Sequence, residues 1–278
     1  MTPNVGAHVD SVLVDGAKVD SLASYTFINV TAGHTIAAYF SLNTYTITSS
    51  ANGPGTISPT PSVNVSHGSN QTFTMTPNAG AHIDSVLVDG AKVDSTTSYT
   101  FINVTAGHTI ASYFSLDTYT ITSSATGPGT ISPTPSVSVT HGNNQQFTMT
   151  PGANAHVDSV LVDGAKVDSL ASYTFINVTA GHTIAAYFSL NTYTITSSAN
   201  GPGTISPTPS VNVSHGSNQT FTMTPNVGAH VDSVLVDGAK VDSLASYTFI
   251  NVTAGHTIAA YFSLNTYTIT SSANGPGT

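Results

Sequence analysis

Histidine and aspartate are the residue types in this sequence that could do chemistry, and they occur eleven and thirteen times. One set of histidines is His82, His108 and His141, and equivalents such as His8, His34 and His67 recur elsewhere. Together with Asp84 and Asp89 they could ligate a transition metal. Metal ligands usually stand at short fixed spacings, whereas these histidines lie in separate turns. We therefore interpret them as solvated turn residues and predict no metal and no cofactor.

Three further chemical interpretations find little support in the sequence. Asp84, Asp89 and Asp94 could collect calcium, but calcium loops place acids at alternating positions and use a glutamate, which the chain lacks. A hydrolytic triad needs one serine in a constrained turn with a base in reach, and no Gly-x-Ser-x-Gly motif occurs. Lys92 could form an isopeptide crosslink, but beside a hairpin turn it is more simply a solubilising charge. We predict that the chain is not an enzyme.

Asn-x-Ser/Thr sequons are the better-supported sites, because this motif marks acceptors for N-glycans on exposed turns of secreted proteins. One set recurs in every copy of the repeat described below, and a second set occurs in only some copies. The first set is Asn29, Asn103, Asn177 and Asn251, and the second is Asn64, Asn70, Asn212 and Asn218. The sequence thus predicts regularly spaced glycosylation sites.

Exposed aromatic and threonine side chains offer two binding alternatives. Four tyrosines are expected to lie opposite the apolar face of a strand and so to be available to glycans or surfaces: Tyr39, Tyr113, Tyr187 and Tyr261. Outward threonines such as Thr46, Thr48, Thr72, Thr74 and Thr76 could order water or ice, although outward threonine is also ordinary strand surface.

A repeat of 74 residues positions all of these side chains. The stretch from His82 to Phe114 occurs four times, and its copies start at residues 8, 82, 156 and 230. Such a period must be interpreted before the rest of the sequence. It predicts a partial repeat at 1–42, full repeats at 43–116, 117–190 and 191–264, and a partial repeat with a first strand at 265–278. Because both ends cut the repeat, we expect a window onto a longer array or a subunit completed by other chains.

Composition limits the class of protein. With no cysteine, no disulfide can staple a 74-residue unit, so neighbouring copies should contribute stability. A net charge of −9 with one lysine per repeat argues against nucleic acid and against an anionic membrane surface. No apolar run approaches the roughly 20 residues of a membrane helix. Met1 aligns with Met75, Met149 and Met223, so we expect it to lie inside a repeat rather than to begin a signal peptide. We expect no membrane insertion in this segment.

The secondary structure expected within one copy is strand after strand. Residues 45–48, 71–76 and 108–114 alternate apolar and polar side chains, which is typical of half-buried strands. Asp89-Gly90 predicts a two-residue hairpin, and a shift of parity predicts a β-bulge near Asp84-Ser85. Pro59 and Pro61 place their segment at a sheet edge or bulge. Ser112 is alanine in the other copies, which indicates a site for a small side chain.

The fold class follows from these patterns: all-β, a linker-free tandem array of small β-sandwich or barrel-like modules of 74 residues. The join from Phe114 to Tyr119 has no Gly or Pro and is too short for a flexible tether. A stiff array is therefore expected.

Several segments of the chain resemble the divergent InlB B-type repeat, found in tandem in bacterial and some archaeal surface proteins. The matching segments are residues 45–48, 55–58, 71–80, 86–90, 98–101 and 109–114. The family often has large aromatics where this chain has Ala81 and Val86. The resemblance implies a small all-β module of stalks, adhesins and other secreted proteins, and it implies no enzyme activity.

The sequence thus predicts a structural, extracellular repeat protein that forms a rigid stalk or a self-assembling surface filament. Its expected partner is itself, through neighbouring repeats or head-to-tail contacts. The alternative is an adhesin whose repeats bind glycans or surfaces, with an ice-binding threonine face as a further alternative.

Overall fold

The computed structural model describes residues 1–20 and 23–275, and within them it forms strands and turns without any helix. These residues accordingly include no helical segment with the length and apolarity needed to cross a membrane. The all-β prediction is confirmed.

Each full copy of the repeat contributes eight strands, and the first partial copy contributes three. The first three strands are β1 Ala7–Val14, β2 Ala17–Lys18 and β3 Ile36–Leu42. The copy at 43–116 has β4 Thr44–Asn52, β5 Gly55–Ser58, β6 Ser62–Ser66, β7 Gln71–Pro77, β8 Ala81–Val88, β9 Ala91–Val93, β10 Ser98–Phe101 and β11 His108–Leu116.

The next two copies repeat this order with nearly the same lengths. The copy at 117–190 has β12 Thr118–Thr126, β13 Gly129–Ser132, β14 Ser136–Thr140, β15 Gln145–Pro151, β16 Ala155–Val162, β17 Ala165–Lys166, β18 Ser172–Phe175 and β19 His182–Leu190. The copy at 191–264 has β20 Thr192–Asn200, β21 Gly203–Ser206, β22 Ser210–Ser214, β23 Gln219–Pro225, β24 Ala229–Val236, β25 Ala239–Lys240, β26 Ser246–Phe249 and β27 His256–Leu264.

The eight strands of a full copy form two sheets. In residues 43–116 the larger sheet has the order β6-β4-β11-β8-β9, and the smaller sheet has the order β10-β7-β5. Strand β11 runs parallel to β4 and antiparallel to β8, so it lies at the centre of the larger sheet. The corresponding sheets of residues 191–264 are β22-β20-β27-β24-β25 and β21-β23-β26.

The inner faces of the two sheets share one hydrophobic core, which makes each full copy a sandwich. In residues 43–116 the core combines Ile47 and Ile110 of the larger sheet with Ile57, Phe73 and Met75 of the smaller sheet. Each such side chain stabilises the fold by about 1.5–3 kcal/mol on burial. Along β7, Phe73 and Met75 point inward while the intervening threonines are exposed, as the alternation predicts. The same core recurs in residues 191–264.

Local features of the larger sheet agree with the sequence. Tyr113 pairs with Ser85 while Phe114 pairs with Ile83, so Asp84 is the extra residue of the predicted bulge. Asp89 and Gly90 both have positive φ in the turn between β8 and β9, as a two-residue hairpin requires. Ser112 is fully buried, and so are Ala186 and Ala260 at the same site. The small-residue site is confirmed.

The prolines also lie where the sequence predicts, at the edges of the sheets. Pro59 and Pro61 connect β5 to β6, and each of these strands lies at the edge of its sheet. A strand edge tolerates the missing N–H of proline, so the two edges are blunted against further pairing. The peptide bonds before both prolines are cis.

The first partial copy shows how the core depends on the second sheet, because its described residues form only the three-stranded sheet β2-β1-β3. Strand β3 pairs with β1 alone, and its Ile36 and Phe40 are both 47% exposed. The equivalent residues of β11, Ile110 and Phe114, are 1% and 5% exposed.

The last partial copy differs from its full equivalents. Residues 265–275 lie outside strands, and Ile269 is exposed although its equivalent Ile47 is fully buried. The prediction of a first strand in 265–278 also includes residues 276–278, which lie outside the described residues.

The chain divides into two compact units. The first contains residues 1–120, 138–145 and 175–181, and the second contains residues 121–137, 146–174 and 182–278. Residues 43–116 lie wholly in the first unit and residues 191–264 wholly in the second. The repeat boundaries derived from the sequence stay predictions.

Candidate functional site

A carboxylate in the hairpin turn ties β8 to β11. Asp89 has a φ of 49° and accepts a hydrogen bond of 2.8 Å from the backbone N–H of Thr109 and one of 2.7 Å from Nδ1 of His108. The backbone N–H of Thr109, followed by the His108 side chain, lowers the pKa of Asp89 below its ordinary value. Asp89 is therefore an ionised structural acceptor. The same arrangement occurs at Asp15–His34, Asp163–His182 and Asp237–His256.

The histidine of this cluster is held on two sides. The His108 ring stacks on Phe101 with centroids 4.8 Å apart, and Phe101 meets Tyr99 edge-on at 5.0 Å. The interpretation of His108 as a merely solvated turn residue is thus wrong, because a carboxylate and an aromatic ring fix its position. A single sequence gives no signal for this pairing, since Asp89 and His108 lie 19 residues apart.

The described residues do not gather the candidate ligands into a metal site. Residues 1–20 and 23–275 contain no group of three or more His, Cys, Asp or Glu side chains that could hold an ion. Asp84 is the bulged residue of β8, and Asp89 is engaged by Thr109 and His108. Neither the histidine alternative nor the calcium alternative is supported by this geometry.

The connection between one copy and the next is the feature that the sequence predicts in least detail. A single residue, Asp117, separates β11 from β12, and its backbone N–H donates a hydrogen bond of 2.8 Å to the carbonyl oxygen of Gly80. Equivalent bonds of 2.8 Å join Asn43 to Gly6, Asn191 to Asn154 and Asn265 to Gly228. The first residue of each copy is thus bonded to a turn of the copy before it.

A histidine ring packs against the same turn. Gly80 has a φ of 69°, and a Cβ added to it would lie 2.2 Å from the ring of His141. Gly6 and His67 have the same relation at 2.0 Å. At these two turns the histidine ring of the following copy occupies the space that a Cβ would need. The Tyr119 hydroxyl lies 3.3 Å from Nδ1 of His141 and helps to orient the ring.

The third turn of this kind differs in sequence. Asn154 stands where the other turns have glycine, and it also adopts positive φ, at 55°. Nδ1 of His215, the equivalent of His141, is buried without a hydrogen-bond partner among the described residues. A buried unsatisfied polar atom typically costs about 1–3 kcal/mol. The junctions are therefore similar in backbone bonding but not identical in side-chain chemistry.

The predicted glycosylation sites all lie on exposed residues. Asn103 occupies a positive-φ position in the turn between β10 and β11, and its backbone N–H donates to Oδ1 of Asn70 at 2.8 Å. Asn64 lies on the outer face of β6 and accepts a hydrogen bond from Thr46. The exposed set comprises Asn29, Asn103, Asn177, Asn251, Asn64, Asn70, Asn212 and Asn218. Their accessibility is what modification requires, and their occupancy stays a prediction.

The predicted surface tyrosines are likewise exposed. Tyr39 is 54% exposed, and Tyr113, Tyr187 and Tyr261 are 38–39% exposed. Tyr113 lies in register with Asn52 of β4 on one side and Ser85 of β8 on the other. Each full copy therefore presents an aromatic ring on the outer face of its larger sheet. The threonines of β7 also face outward, and Thr72 bonds Thr100 of β10 at 2.8 Å.

Comparison with known proteins identifies the repeat. The model of the divergent InlB B-repeat domain matches residues 45–118 and 193–266, which together make up more than half of the chain. No curated protein matches the sequence.

Two solved structures show distant similarity. The Bacillus anthracis TIE protein is 7% identical with a TM-score of 0.39, over 82% of this chain and 53% of its own. The pilus adhesin SpaC from Lactobacillus rhamnosus GG, in its open conformation, is 7% identical with a TM-score of 0.25, over 87% of this chain and 46% of its own. The chain spans about half the length of these two proteins.

Proposed function

The chain belongs to the divergent InlB B-repeat family, and on that premise we propose that it is a surface repeat protein whose copies form a stiff extracellular spacer. The spacer is a stalk that holds other parts of a surface protein away from the cell, or the body of a self-assembling filament. The proposal assigns no catalytic step to the chain.

The connection between copies is the observation that carries this proposal. Residues 80, 117 and 141 lie in the first unit, where a backbone hydrogen bond and a contact with a half-buried ring act on one turn. Because a single residue separates β11 from β12, only a few backbone dihedral angles can change the orientation of one copy relative to the next. A connection with these constraints is stiffer than a flexible Gly/Ser-rich linker. The same backbone hydrogen bond recurs at the other connections, so this constraint is repeated along the chain.

Replacing Gly80 with alanine tests the proposal. The added Cβ would displace the His141 ring, and φ of 69° is unfavourable for alanine. Because a side chain can swing away, both copies should stay folded while their connection loosens. In small-angle X-ray scattering we expect a smaller radius of gyration and a broader distance distribution for Gly80→Ala than for the wild type.

Gly228→Ala is the matched control. Its φ of 80° imposes a similar backbone strain, but nothing lies within 4 Å of the added Cβ. Scattering curves of this variant should superpose on those of the wild type. Identical curves for all three proteins, or a compact wild type, would reject the stiff spacer. Sedimentation at increasing concentration separates the two forms, because a filament grows with concentration and a stalk does not.

A second candidate function, glycan or surface adhesion, is favoured by the exposed tyrosines. Tyr113 lies between an amide and a hydroxyl side chain, and aromatic rings beside such groups suit the apolar faces and hydroxyls of sugars. A glycan array probed with the wild type and with a variant carrying alanine at residues 39, 113, 187 and 261 tests it. Adhesion requires binding that the variant loses, and no binding by the wild type rejects it.

N-glycosylation of the sequons is a further proposal, supported by the exposure of the asparagines. Glycan mass on peptides that contain Asn103, isolated from the native source, would establish it. Only unmodified peptides would dismiss it.

A further inference from the structure

One threonine in every full copy lies between two prolines and outside both sheets. Thr60 stands between β5 and β6 in the segment Ser-Pro-Thr-Pro-Ser, and its counterparts are Thr134 and Thr208. All three threonines are exposed. In the part of the chain that the structure describes, the Thr60 side chain forms no hydrogen bond, whereas the exposed Thr72 is bonded to Thr100. The hydroxyl of each proline-flanked threonine is therefore open to solvent.

A buried serine of the larger sheet holds this segment in place. The backbone N–H of Ser49 donates a hydrogen bond of 2.8 Å to the carbonyl oxygen of Pro61, and its hydroxyl donates one of 2.6 Å to the carbonyl oxygen of Pro59. Ser123 and Ser197 form the equivalent pairs of bonds in the other full copies. The residues on both sides of the threonine are thus fixed, and the threonine is presented in the same way in each copy.

The neighbouring hydroxyl residues are less accessible to an enzyme. Ser58 pairs with Thr74 in the smaller sheet, and Ser62 pairs with Thr48 in the larger sheet. An enzyme that modifies a side chain must surround it, and a residue within a sheet has other strands beside it. Of the three hydroxyl residues in the segment, only Thr60 lies outside the strands.

The half of each full copy that contains this threonine has no charged side chain. Residues 44–81, 118–155 and 192–229 contain no Asp, Glu, Lys or Arg. The outer face of the smaller sheet consists of threonine and serine side chains instead. Net charge helps to keep proteins soluble and apart from one another. Attached sugars are bulky and solubilising, so they would give this half of the copy the protection that charges do not supply.

We propose that Thr60, Thr134 and Thr208 are acceptors for O-linked glycans. Segments rich in serine and threonine with proline are typical of O-glycosylated stalks. The sugar donor is a sugar bound through its anomeric carbon to a nucleotide or polyprenyl phosphate. The threonine oxygen forms a bond to that carbon while the bond from the carbon to the phosphate oxygen breaks. The phosphate leaves with the electron pair, and the hydroxyl proton passes to a base of the transferase. This modification rests on the proposed surface function and adds sites that the N-glycan sequons do not include.

The copy at 117–190 offers the cleanest test, because its threonine has no sequon nearby. Cleavage after Tyr119 and Phe147 releases residues 120–147, which contain Thr134 but no Asn-x-Ser/Thr motif. Any glycan on this peptide, taken from protein isolated from the native source, is therefore O-linked. We expect mass spectrometry to show a mass increase by whole sugar residues, and electron-transfer fragmentation to place the increase on Thr134.

Thr134→Val, produced in the native source, keeps the branched shape of the side chain, removes the hydroxyl and should abolish the modification of this peptide. Thr130→Val is the matched control, because Thr130 is also exposed but pairs with Thr150 within the smaller sheet, so its peptide should stay modified. An unmodified wild-type peptide, a glycan on another residue, or an unchanged glycan in Thr134→Val would overturn the proposal. Scattering curves of unmodified protein test the spacer independently, so the failure of one proposal is distinguishable from the failure of the other.

Discussion

Replacing Gly53 with alanine is expected to destabilise the two-sheet sandwich of residues 43–116 strongly. Gly53 has a φ of 93°, and an added Cβ would lie 2.1 Å from the carbonyl oxygen of Phe114. This oxygen belongs to the backbone of β11, the central strand of the larger sheet, so it cannot swing away as a side chain would. Backbone strain and overpacking together should cost about 3–5 kcal/mol. A 74-residue unit has a stability of roughly 4–11 kcal/mol, so the loss is a large part of the total.

Gly90→Ala separates the effect of the clash from that of the backbone conformation. Gly90 has a φ of 79°, but nothing lies within 4 Å of its added Cβ, so alanine should cost only about 1–2 kcal/mol. Urea unfolding followed by circular dichroism measures both variants against the wild type. Equal shifts of the midpoint would mean that the contact with Phe114 plays no part, and the close approach of β11 to this turn would then be wrong.

Patterns among residues close together in the chain were enough to predict most strands and turns of the full copies. Alternation along β7 predicts the inward Phe73 and Met75, and the Asp89-Gly90 pair predicts its hairpin. The bulge at Asp84 follows from a change of parity, because a one-residue insertion moves side chains to the opposite face. Each of these features is set by residues close together in the chain, so a single sequence contains the information.

Pairing over long distances could not be predicted in the same way. Strand β11 lies parallel to β4, and Ser112 donates a hydrogen bond to the carbonyl of Ser50, 62 residues away. Periodicity defines which face of a strand is buried but not which strand lies beside it. The cluster of Asp89 with His108 and the contact of His141 with Gly80 depend on that pairing. The candidate site was therefore predicted as exposed single residues, whereas the structure shows partnered ones.

Because the copies are nearly identical, the sequence alone does not indicate which residues have a role beyond maintaining the fold. The copies differ at few positions, and each difference shows what a replacement at that position does to the structure. Asp117 in place of asparagine adds a charge at one junction, and Asn154 in place of glycine changes another turn. The repeated residues maintain the sandwich and the connection, so they predict architecture. The residues that differ between copies, such as Asp117 and Asn154, are those that make one junction chemically different from the others.

Phe73→Ala is expected to produce the second large effect. Phe73 is fully buried on β7 and meets Phe101 edge-on with ring centroids 6.0 Å apart. Truncation removes the apolar surface and leaves a cavity between the two sheets, which typically costs about 3–5 kcal/mol. The free energy of unfolding of residues 43–116, measured by urea denaturation, should fall by this amount. The aromatic pair between β7 and β10 would be lost with it.

The repeat provides two controls for this truncation. Phe221→Ala in residues 191–264 removes an equally buried ring, 5.9 Å from Phe249, and should lower stability by a similar amount because the two cores are alike. Ile102→Ala removes a side chain that is 75% exposed and should change stability by less than about 0.5 kcal/mol. If Phe73→Ala and Ile102→Ala had similar effects, the shared core between the sheets would not be what holds the sandwich together. If only one of the two phenylalanine variants were destabilised, the copies could not be energetically equivalent, and a spacer built from like units would lose its physical basis.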